Sequence, residues 1–141
     1  MAPSQAATRI IGLGCAMPEK RLTNDDLAKM VDTNDEWIKT RTGIRERRIL
    51  ADGEMLVDFT TRASAEAIGH AGLERSQIDL VIATTYTPDR LAPSLSCKTA
   101  ELLGIPHVPA MDLNAACTGF IYGLSVADAM IRTGQYTNVL V

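Results

Sequence analysis

The order of strand and helix patterns along the chain predicts an α/β fold with a largely parallel sheet that helices cover. Short runs rich in valine, isoleucine and leucine are typical of buried strands, and helical patterns alternate with them. Serine, threonine or asparagine residues precede the helical patterns and glycines follow them, as expected of helix caps. The predicted strands span residues 9–16, 78–84, 107–113 and 139–141.

Helices are predicted between these strands. The first follows the cap residues Thr23 to Asp26, and the second has the spacing of a capping box, with Glu36 three residues after Thr33. The second helix should end at Thr42–Gly43, before a basic segment at 44–50 that predicts an edge strand or a loop. Three more helices are predicted at about 55–71, from Ser94 or Ser96 to 103, and at 117–132, ending at Gly72, Gly104 and Gly134.

The domain organisation follows from length and from the last strand. A chain of 141 residues can form one domain with a real core, so we expect residues 1–141 to be a single, partial amino-terminal domain. The last predicted strand reaches Val141 without a turn or a polar cap. Because a strand that stops there would leave unpaired backbone groups, we expect a longer protein of which these residues are the first part.

Composition excludes several classes of protein. The chain is 46% hydrophobic and 22% charged, which is typical of a folded soluble protein, and its net charge of −3 gives no sign of nucleic-acid binding. It has no apolar run near the roughly 20 residues that span a membrane, and its start does not resemble a secretion signal. Three widely spaced cysteines predict neither disulfides nor a metal site, so we expect a cytoplasmic protein without a bound metal.

Cys117 is the predicted chemical centre. It comes directly after a predicted strand and at the start of a helix with almost no charge, which we expect to be buried on most sides. A helix N-terminus can stabilise a thiolate and an oxyanion through its unsatisfied N–H groups. The alternative is a small buried cysteine with a structural role, which is the interpretation we give Cys15 and Cys97. Gly119 and Gly123 lie on one helix face and should let other backbones approach closely.

The segment Asn114-Ala-Ala-Cys-Thr-Gly-Phe120 resembles the active-site segment of β-ketoacyl-acyl-carrier-protein synthase III, of the thiolase-like superfamily. Other segments resemble the same family in the same order, and together they cover nearly the whole chain from Arg9 to Val141. They are Ile11-Gly-Leu-Gly14 with Pro18, Asp32-Thr-Asn-Asp-Glu-Trp-Ile38, Arg41-Thr-Gly-Ile-Arg-Glu-Arg47, Ala83-Thr-Thr85, Pro93-Ser94 and Leu124-Ser-Val-Ala-Asp128. The resemblance implies the amino-terminal half of a thiolase-like fold.

The resemblance also implies a reaction. Cys117 would accept an acyl group from an acyl-CoA, most simply acetyl-CoA, and malonyl-acyl-carrier protein would decarboxylate to a carbanion that attacks the acyl-cysteine. This condensation starts type II fatty acid synthesis. Coenzyme A is then part of the substrate, and no cofactor is implied. Family members are homodimers, so a homodimer is expected here too.

Further residues receive roles by resemblance. Trp37 would stack on the adenine of coenzyme A, with Arg41 beside it and Thr33 near the nucleotide, and Thr85 would lie near the acyl pocket. From the residues alone, Trp37 could equally be a core residue, and the arginines from Arg41 to Arg48 a solvated basic face. Ala92 stands where the bacterial form has a phenylalanine, which leaves the acyl-chain preference open.

The family's catalytic histidine and asparagine belong to the second half of its fold, and neither His70 nor His107 matches them. Two other hypotheses therefore stay open. One is a related starter synthase or acyltransferase of secondary metabolism that uses CoA thioesters. The other is a catalytically silent fragment that only binds coenzyme A or a partner chain.

Overall fold

The computed structural model describes residues 8–105 and 107–141. In chain order, the elements are β1 (Arg21–Thr23), α1 (Asn24–Ala28), α2 (Asp35–Thr42), β2 (Glu46–Arg48), α3 (Leu56–Ala71), β3 (Leu80–Thr84), α4 (Leu95–Leu103), β4 (Ala110–Leu113), α5 (Gly119–Arg132) and β5 (Val139–Leu140). Two short 3-10 turns lie at Arg75–Gln77 and Ala116–Thr118. The chain divides into two compact units, of which the smaller is Met17–Met55 and the larger combines the amino-terminal residues to Ala16 with Leu56–Val141.

A parallel sheet forms the centre of the larger unit. Its strand order is β4-β3-β5, so the strand that comes first in sequence lies in the middle. Val81 is aligned with Ala110 of β4, and Leu80 with Val139 of β5. Parallel strands need crossover connections, which α4 and α5 supply here. The predicted α/β fold with a parallel sheet is therefore confirmed.

Alternate side chains of β3 enter two different hydrophobic clusters. Val81 packs with Ile68 of α3 and Leu103 of α4, whereas Leu80 and Ile82 pack with Ala127 of α5. Successive strand residues point to opposite faces, so the two clusters lie on opposite sides of the sheet. Both faces of the sheet are therefore covered by helices, as the continuous apolar run of β3 predicts.

The predicted first strand, 9–16, does not form among the described residues. This segment instead lies close against α3, where a β-carbon on Gly12 would clash with the carbonyl oxygen of Ala67. The backbone N–H of Cys15 donates to Glu66 Oε2 at 2.8 Å, so α3 side chains satisfy groups that a strand partner would otherwise take. A cavity of about 480 Å³, lined by residues on both segments, lies between residues 8–14 and β5.

Two further sequence interpretations are wrong. Cys15 and Cys97 are exposed, not buried. Cys15 is exposed because its segment does not enter the sheet, and Cys97 lies on the outer face of α4, whose inner face is formed by Leu95, Ser96, Thr99, Ala100 and Leu103. Helix α5 is also less buried than predicted, since only Gly119, Gly123 and Ala127 are buried. Its large residues Phe120, Ile121 and Tyr122 are more than half exposed, at 52%, 65% and 55%.

The smaller unit combines a two-stranded antiparallel sheet with α1 and α2. Strands β1 and β2 pair with Leu22 opposite Arg47. The basic segment therefore contains an edge strand, which was one of its two predicted interpretations. Strand β1 was not predicted. Helix α1 begins with a capping box between Thr23 and Asp26. Helix α2 is capped by Asn34, one residue later than the predicted Thr33, because the Asn34 side chain accepts from the N–H of Trp37.

Among the described residues, no helix has both the length and the apolar character needed to cross a membrane.

Candidate active site

The turn that carries Cys117 joins the carboxyl end of β4 to the start of α5. Cys117 is the middle residue of the 3-10 turn Ala116–Thr118, and its side chain is exposed. The sequence placed it in the first turn of the helix itself, whereas α5 begins two residues later, at Gly119. A short loop between strand and helix holds the thiol out of the sheet, as in other nucleophile turns.

Backbone strain immediately precedes this cysteine. Ala116 has a φ of 45°, in the left-handed region that residues with a β-carbon avoid. Two hydrogen bonds to the carbonyl oxygen of Ala115 close the turn, from the N–H of Thr118 at 3.1 Å and from its hydroxyl at 2.8 Å. Conformations of this kind persist only where the surroundings impose them, and they occur often at active sites.

Asp112 fixes the strand that leads to Cys117. Its two carboxylate oxygens accept from the backbone N–H groups of Leu95 and Ser96, each at 2.9 Å. Leu95 is the first residue of α4, so Asp112 satisfies amides that have no partner within that helix. The sequence analysis missed this contact. The only available signal was an acidic residue within an otherwise apolar strand, whose partner lies 17 positions away.

Helix α5 packs against the carboxyl end of β3 through its glycines. A β-carbon on Gly119 would lie 3.2 Å from Thr84 Cβ, and one on Gly123 would lie 2.8 Å from Thr84 Cγ2. The glycines therefore leave room for side chains of the sheet, whereas the sequence predicted the close approach of another backbone. Thr85 follows directly after β3, and its hydroxyl accepts from the N–H of Thr87 at 3.2 Å. Thr85 and Cys117 thus lie beside the ends of two elements, β3 and α5, that contact each other.

The loop after Thr85 has an anchor of its own. Asp89 accepts from the N–H of Leu56 at 3.0 Å and from that of Val57 at 2.9 Å. These are the first residues of α3, so a distant loop supplies the cap of this helix. The same carboxylate holds the loop against α3, although Tyr86 and Leu91 in that loop are 70% and 93% exposed.

Trp37 and Arg41 form an exposed pair in the smaller unit. They lie one turn apart on α2, with the guanidinium carbon of Arg41 6.0 Å from the centre of the Trp37 ring. Trp37 is 56% exposed, so the alternative of a core residue is wrong. An exposed aromatic face beside a guanidinium can bind a base and a phosphate. Thr33 lies just before the cap residue Asn34 and outside the helix.

The other arginines of this segment have structural contacts. Arg47 donates to Asn24 Oδ1 at 2.7 Å, and Arg48 donates to the carbonyl oxygens of Pro18 and Glu19 at 3.0 and 3.3 Å. The interpretation of a purely solvated basic face is therefore wrong for Arg47 and Arg48. Sequence periodicity alone does not reveal such bonds, because they join residues 23 to 30 positions apart.

Two carboxylates of this unit have lowered pKa values. A hydrogen bond from Thr23, followed by one from Lys29, lowers the pKa of Asp26 from 3.8 to about 2. The pKa of Asp35 is also lowered, first by the hydrogen bond from Lys39 and then by that from Asn24. Asp26 therefore stays charged well into the acidic range and keeps its capping-box contacts with Thr23, and the contacts of Asp35 likewise favour its charged form.

The described residues contain no group of three or more histidine, cysteine or acidic side chains arranged to hold a metal ion. His70 lies against the backbone of Leu13, with its Nδ1 3.3 Å from the N–H nitrogen and 3.2 Å from the carbonyl oxygen.

Comparison with known proteins adds the decisive observation. The sequence profile of the 3-oxoacyl-[acyl-carrier-protein (ACP)] synthase III family matches residues 111–141, which include the Cys117 turn. A β-ketoacyl-[acyl-carrier-protein] synthase III of Xanthomonas campestris pv. campestris is 50% identical over 134 residues, covering 95% of this chain and 41% of that protein. This chain corresponds to the amino-terminal part of proteins of the β-ketoacyl-acyl-carrier-protein synthase III family.

Solved structures agree with this assignment. The crystal structure of 3-oxoacyl-[acyl-carrier-protein] synthase III from Aquifex aeolicus VF5 matches with a TM-score of 0.87 and 47% identity, over 94% of this chain and 43% of that one. The priming β-ketosynthase of the R1128 polyketide pathway matches with a TM-score of 0.85 and 36% identity, over 96% and 41%. The chain thus has the fold of the amino-terminal part of a thiolase-like synthase, and it spans less than half the length of these relatives.

Proposed function

We propose that the protein to which these residues belong is a β-ketoacyl-acyl-carrier-protein synthase that condenses an acyl-CoA with malonyl-acyl-carrier protein. The observation that carries the proposal is the Cys117 turn, where an exposed thiol follows a left-handed alanine between β4 and α5. The relatives that the chain matches are named for this synthase activity.

The first half-reaction takes place at Cys117. Its sulfur attacks the carbonyl carbon of the acyl-CoA, the bond between that carbon and the CoA sulfur breaks, and coenzyme A leaves as a thiol. One thioester replaces another, so the exchange is nearly balanced in energy. In the second half-reaction malonyl-acyl-carrier protein loses carbon dioxide, and its carbanion attacks the acyl group and releases the Cys117 thiolate.

The exposed pair on α2 supports the choice of coenzyme A as acyl carrier. Trp37 offers a ring face for the adenine and Arg41 a charge for a phosphate, with Thr33 at the edge of the same segment. No cofactor is needed, because coenzyme A enters as part of the substrate. Thr85, which directly follows the strand that packs against α5, is proposed to border the acyl group.

A cytoplasmic homodimer is the expected form of the protein. The exposed residues Phe120, Ile121 and Tyr122 give α5 a large apolar surface that a second subunit would cover. Three free, exposed cysteines suit a reducing compartment.

A related starter synthase is the second candidate. The match to the priming β-ketosynthase of a polyketide pathway favours it, because that protein shares the same fold at 36% identity. Ala92, in the anchored loop, leaves the acyl-chain preference open between the two. A third possibility, a chain that binds coenzyme A or a partner without catalysis, predicts no acyl-cysteine at all.

Product analysis separates these functions. The full natural protein would be incubated with acetyl-CoA and malonyl-acyl-carrier protein, and β-ketoacyl-carrier protein would be measured by mass spectrometry. We expect product, its loss in Cys117→Ala, and its retention in Cys97→Ala, which removes another exposed cysteine. Condensation only with a longer or branched acyl-CoA would favour the starter synthase. Unchanged product in Cys117→Ala would contradict both.

A further inference from the structure

One polar side chain of the smaller unit is almost completely enclosed. Asn24 is only 1% exposed. A primary amide that is removed from water costs free energy unless its donors and its acceptor are all hydrogen-bonded. Asn24 is the first residue of α1, a helix of five residues, and its side chain reaches well beyond that helix. The partners of this amide therefore show which parts of the unit it joins.

The amide of Asn24 has three hydrogen bonds to other elements. Its Nδ2 donates to Asp35 Oδ1 and to the carbonyl oxygen of Ile44, both at 2.9 Å. Its Oδ1 accepts from the guanidinium of Arg47 at 2.7 Å. A carboxylate and a carbonyl can only accept, and a guanidinium can only donate, so the partners determine the orientation of the amide.

These bonds connect both ends of α2. Asp35 is the first residue of the helix, and Ile44 follows its C-cap residue, Gly43. The Trp37–Arg41 pair lies between these two ends. The exposed ring of Trp37 does little to fix the helix, whose one buried residue is Ile38. Asn24 therefore supplies the polar contacts that set the position of α2, and with it the position of the pair.

We propose that Asn24 is a positioning residue for the nucleotide end of the acyl-CoA, because it fixes both ends of the helix that presents Trp37 and Arg41. This inference rests on the proposed function. Asn24 itself is buried and does not touch the substrate. Its effect passes through α2, so its loss should weaken the binding of thioesters that carry the nucleotide and leave other thioesters unaffected.

The test uses Asn24→Asp in the full natural protein. The new carboxylate keeps the size of the amide and the contact with Arg47, but it places an acceptor against Asp35 and the Ile44 carbonyl. We expect the KM for acetyl-CoA to rise about tenfold, because two buried hydrogen bonds are replaced by repulsion. The rate of acyl transfer from S-acetyl-N-acetylcysteamine, which lacks the nucleotide, should stay unchanged.

A double-mutant cycle with Trp37→Ala tests the route of the effect. If Asn24 acts through the position of Trp37, then Asn24→Asp should raise the KM for acetyl-CoA much less in the Trp37→Ala background. Asn138→Asp is the matched control. It removes a single amide donor, to the carbonyl of Gln77 in the larger unit, and should leave the ratio of the two substrates unchanged. Asn24→Ser, a milder variant, serves if the aspartate does not fold.

The outcomes are distinct. A rise in KM confined to acetyl-CoA supports the inference. A wild-type KM in a folded Asn24 variant overturns it, and so does an equal loss with both thioesters, which would indicate a merely structural role. If the unmodified protein accepts acetyl from neither thioester, the proposed function fails first, and the inference fails with it.

Discussion

Gly123 of α5 lies directly against Thr84, the last residue of β3: a β-carbon added to Gly123 would be 2.8 Å from Thr84 Cγ2 and 2.8 Å from Val141 Cγ1. Both neighbours are branched side chains with little freedom to move. The small residue therefore sets the distance between the helix that begins beside the Cys117 turn and the strand that ends beside Thr85.

Gly123→Ala tests this packing. We expect the variant to lose about 1–3 kcal/mol of unfolding free energy, because the added methyl overpacks a tight contact. Gly69→Ala is the matched control, since Gly69 also lies in a helix but has nothing within 4 Å of an added β-carbon. There the same change should stabilise the protein by about 0.5–1 kcal/mol through helix propensity. Urea denaturation measures both, and equal effects at the two sites would contradict the close approach.

Ala116 tests whether the turn before Cys117 is strained. Its φ of 45° is costly for any residue with a β-carbon and most costly for a branched one. Ala116→Gly should therefore change the unfolding free energy by less than about 1 kcal/mol, because relief of strain offsets the freedom that glycine adds to the unfolded chain. Ala116→Val should destabilise by about 1–3 kcal/mol. Chemical denaturation measures both, and a valine variant as stable as wild type would exclude the left-handed conformation.

Asp89 should control the start of α3. Asp89→Ala removes the acceptor for the N–H groups of Leu56 and Val57, so we expect a loss of about 1–2 kcal/mol, as for other cap residues. Amide hydrogen exchange at these two residues should become faster. Asp58→Asn, which removes an exposed charge from the same helix end, is the control and should leave that exchange slow. Slow exchange in Asp89→Ala would show that another group caps the helix.

The capping box of α1 predicts a pH dependence. The lowered pKa of Asp26 means that the folded state favours its charged form, so this contribution to stability is complete above about pH 4 and is lost as the pH falls towards 2. An NMR titration of the Asp26 carboxyl should give a pKa of about 2. Thr23→Val and Lys29→Met should each raise that pKa, since both side chains donate a hydrogen bond to the Asp26 carboxylate. A wild-type pKa near 3.8 would contradict the capping box.

Local sequence signals predicted the elements whose causes are local. The glycines that end α2, α3 and α4 are in the left-handed conformation expected of helix C-caps, and the apolar run of β3 is buried on both faces. Segments whose structure depends on distant partners were harder to predict. Residues 9–16 have a strand pattern, but close approach to α3 decides their position, and β1 is recognisable only through its pairing with β2.

The candidate site divides in the same way. The position of Cys117 between a strand and a helix could be predicted from local patterns, whereas Trp37 and Arg41 were singled out by their resemblance to a family segment. Asp89, Asp112 and Asn24 could not, because each acts through hydrogen bonds to residues that lie 11 to 33 positions away in sequence. A polar residue in an apolar setting signals that a partner exists without saying where.

Acyl transfer to Cys117 is the central claim, and peptide mapping tests it most directly. The full natural protein would be incubated with acetyl-CoA alone, digested and analysed by mass spectrometry for acetyl groups on each cysteine. We predict that the peptide containing Cys117 becomes acetylated, whereas those containing Cys15 and Cys97, which are also exposed, do not. Acetylation spread over all three cysteines, or its absence from Cys117, would contradict the account.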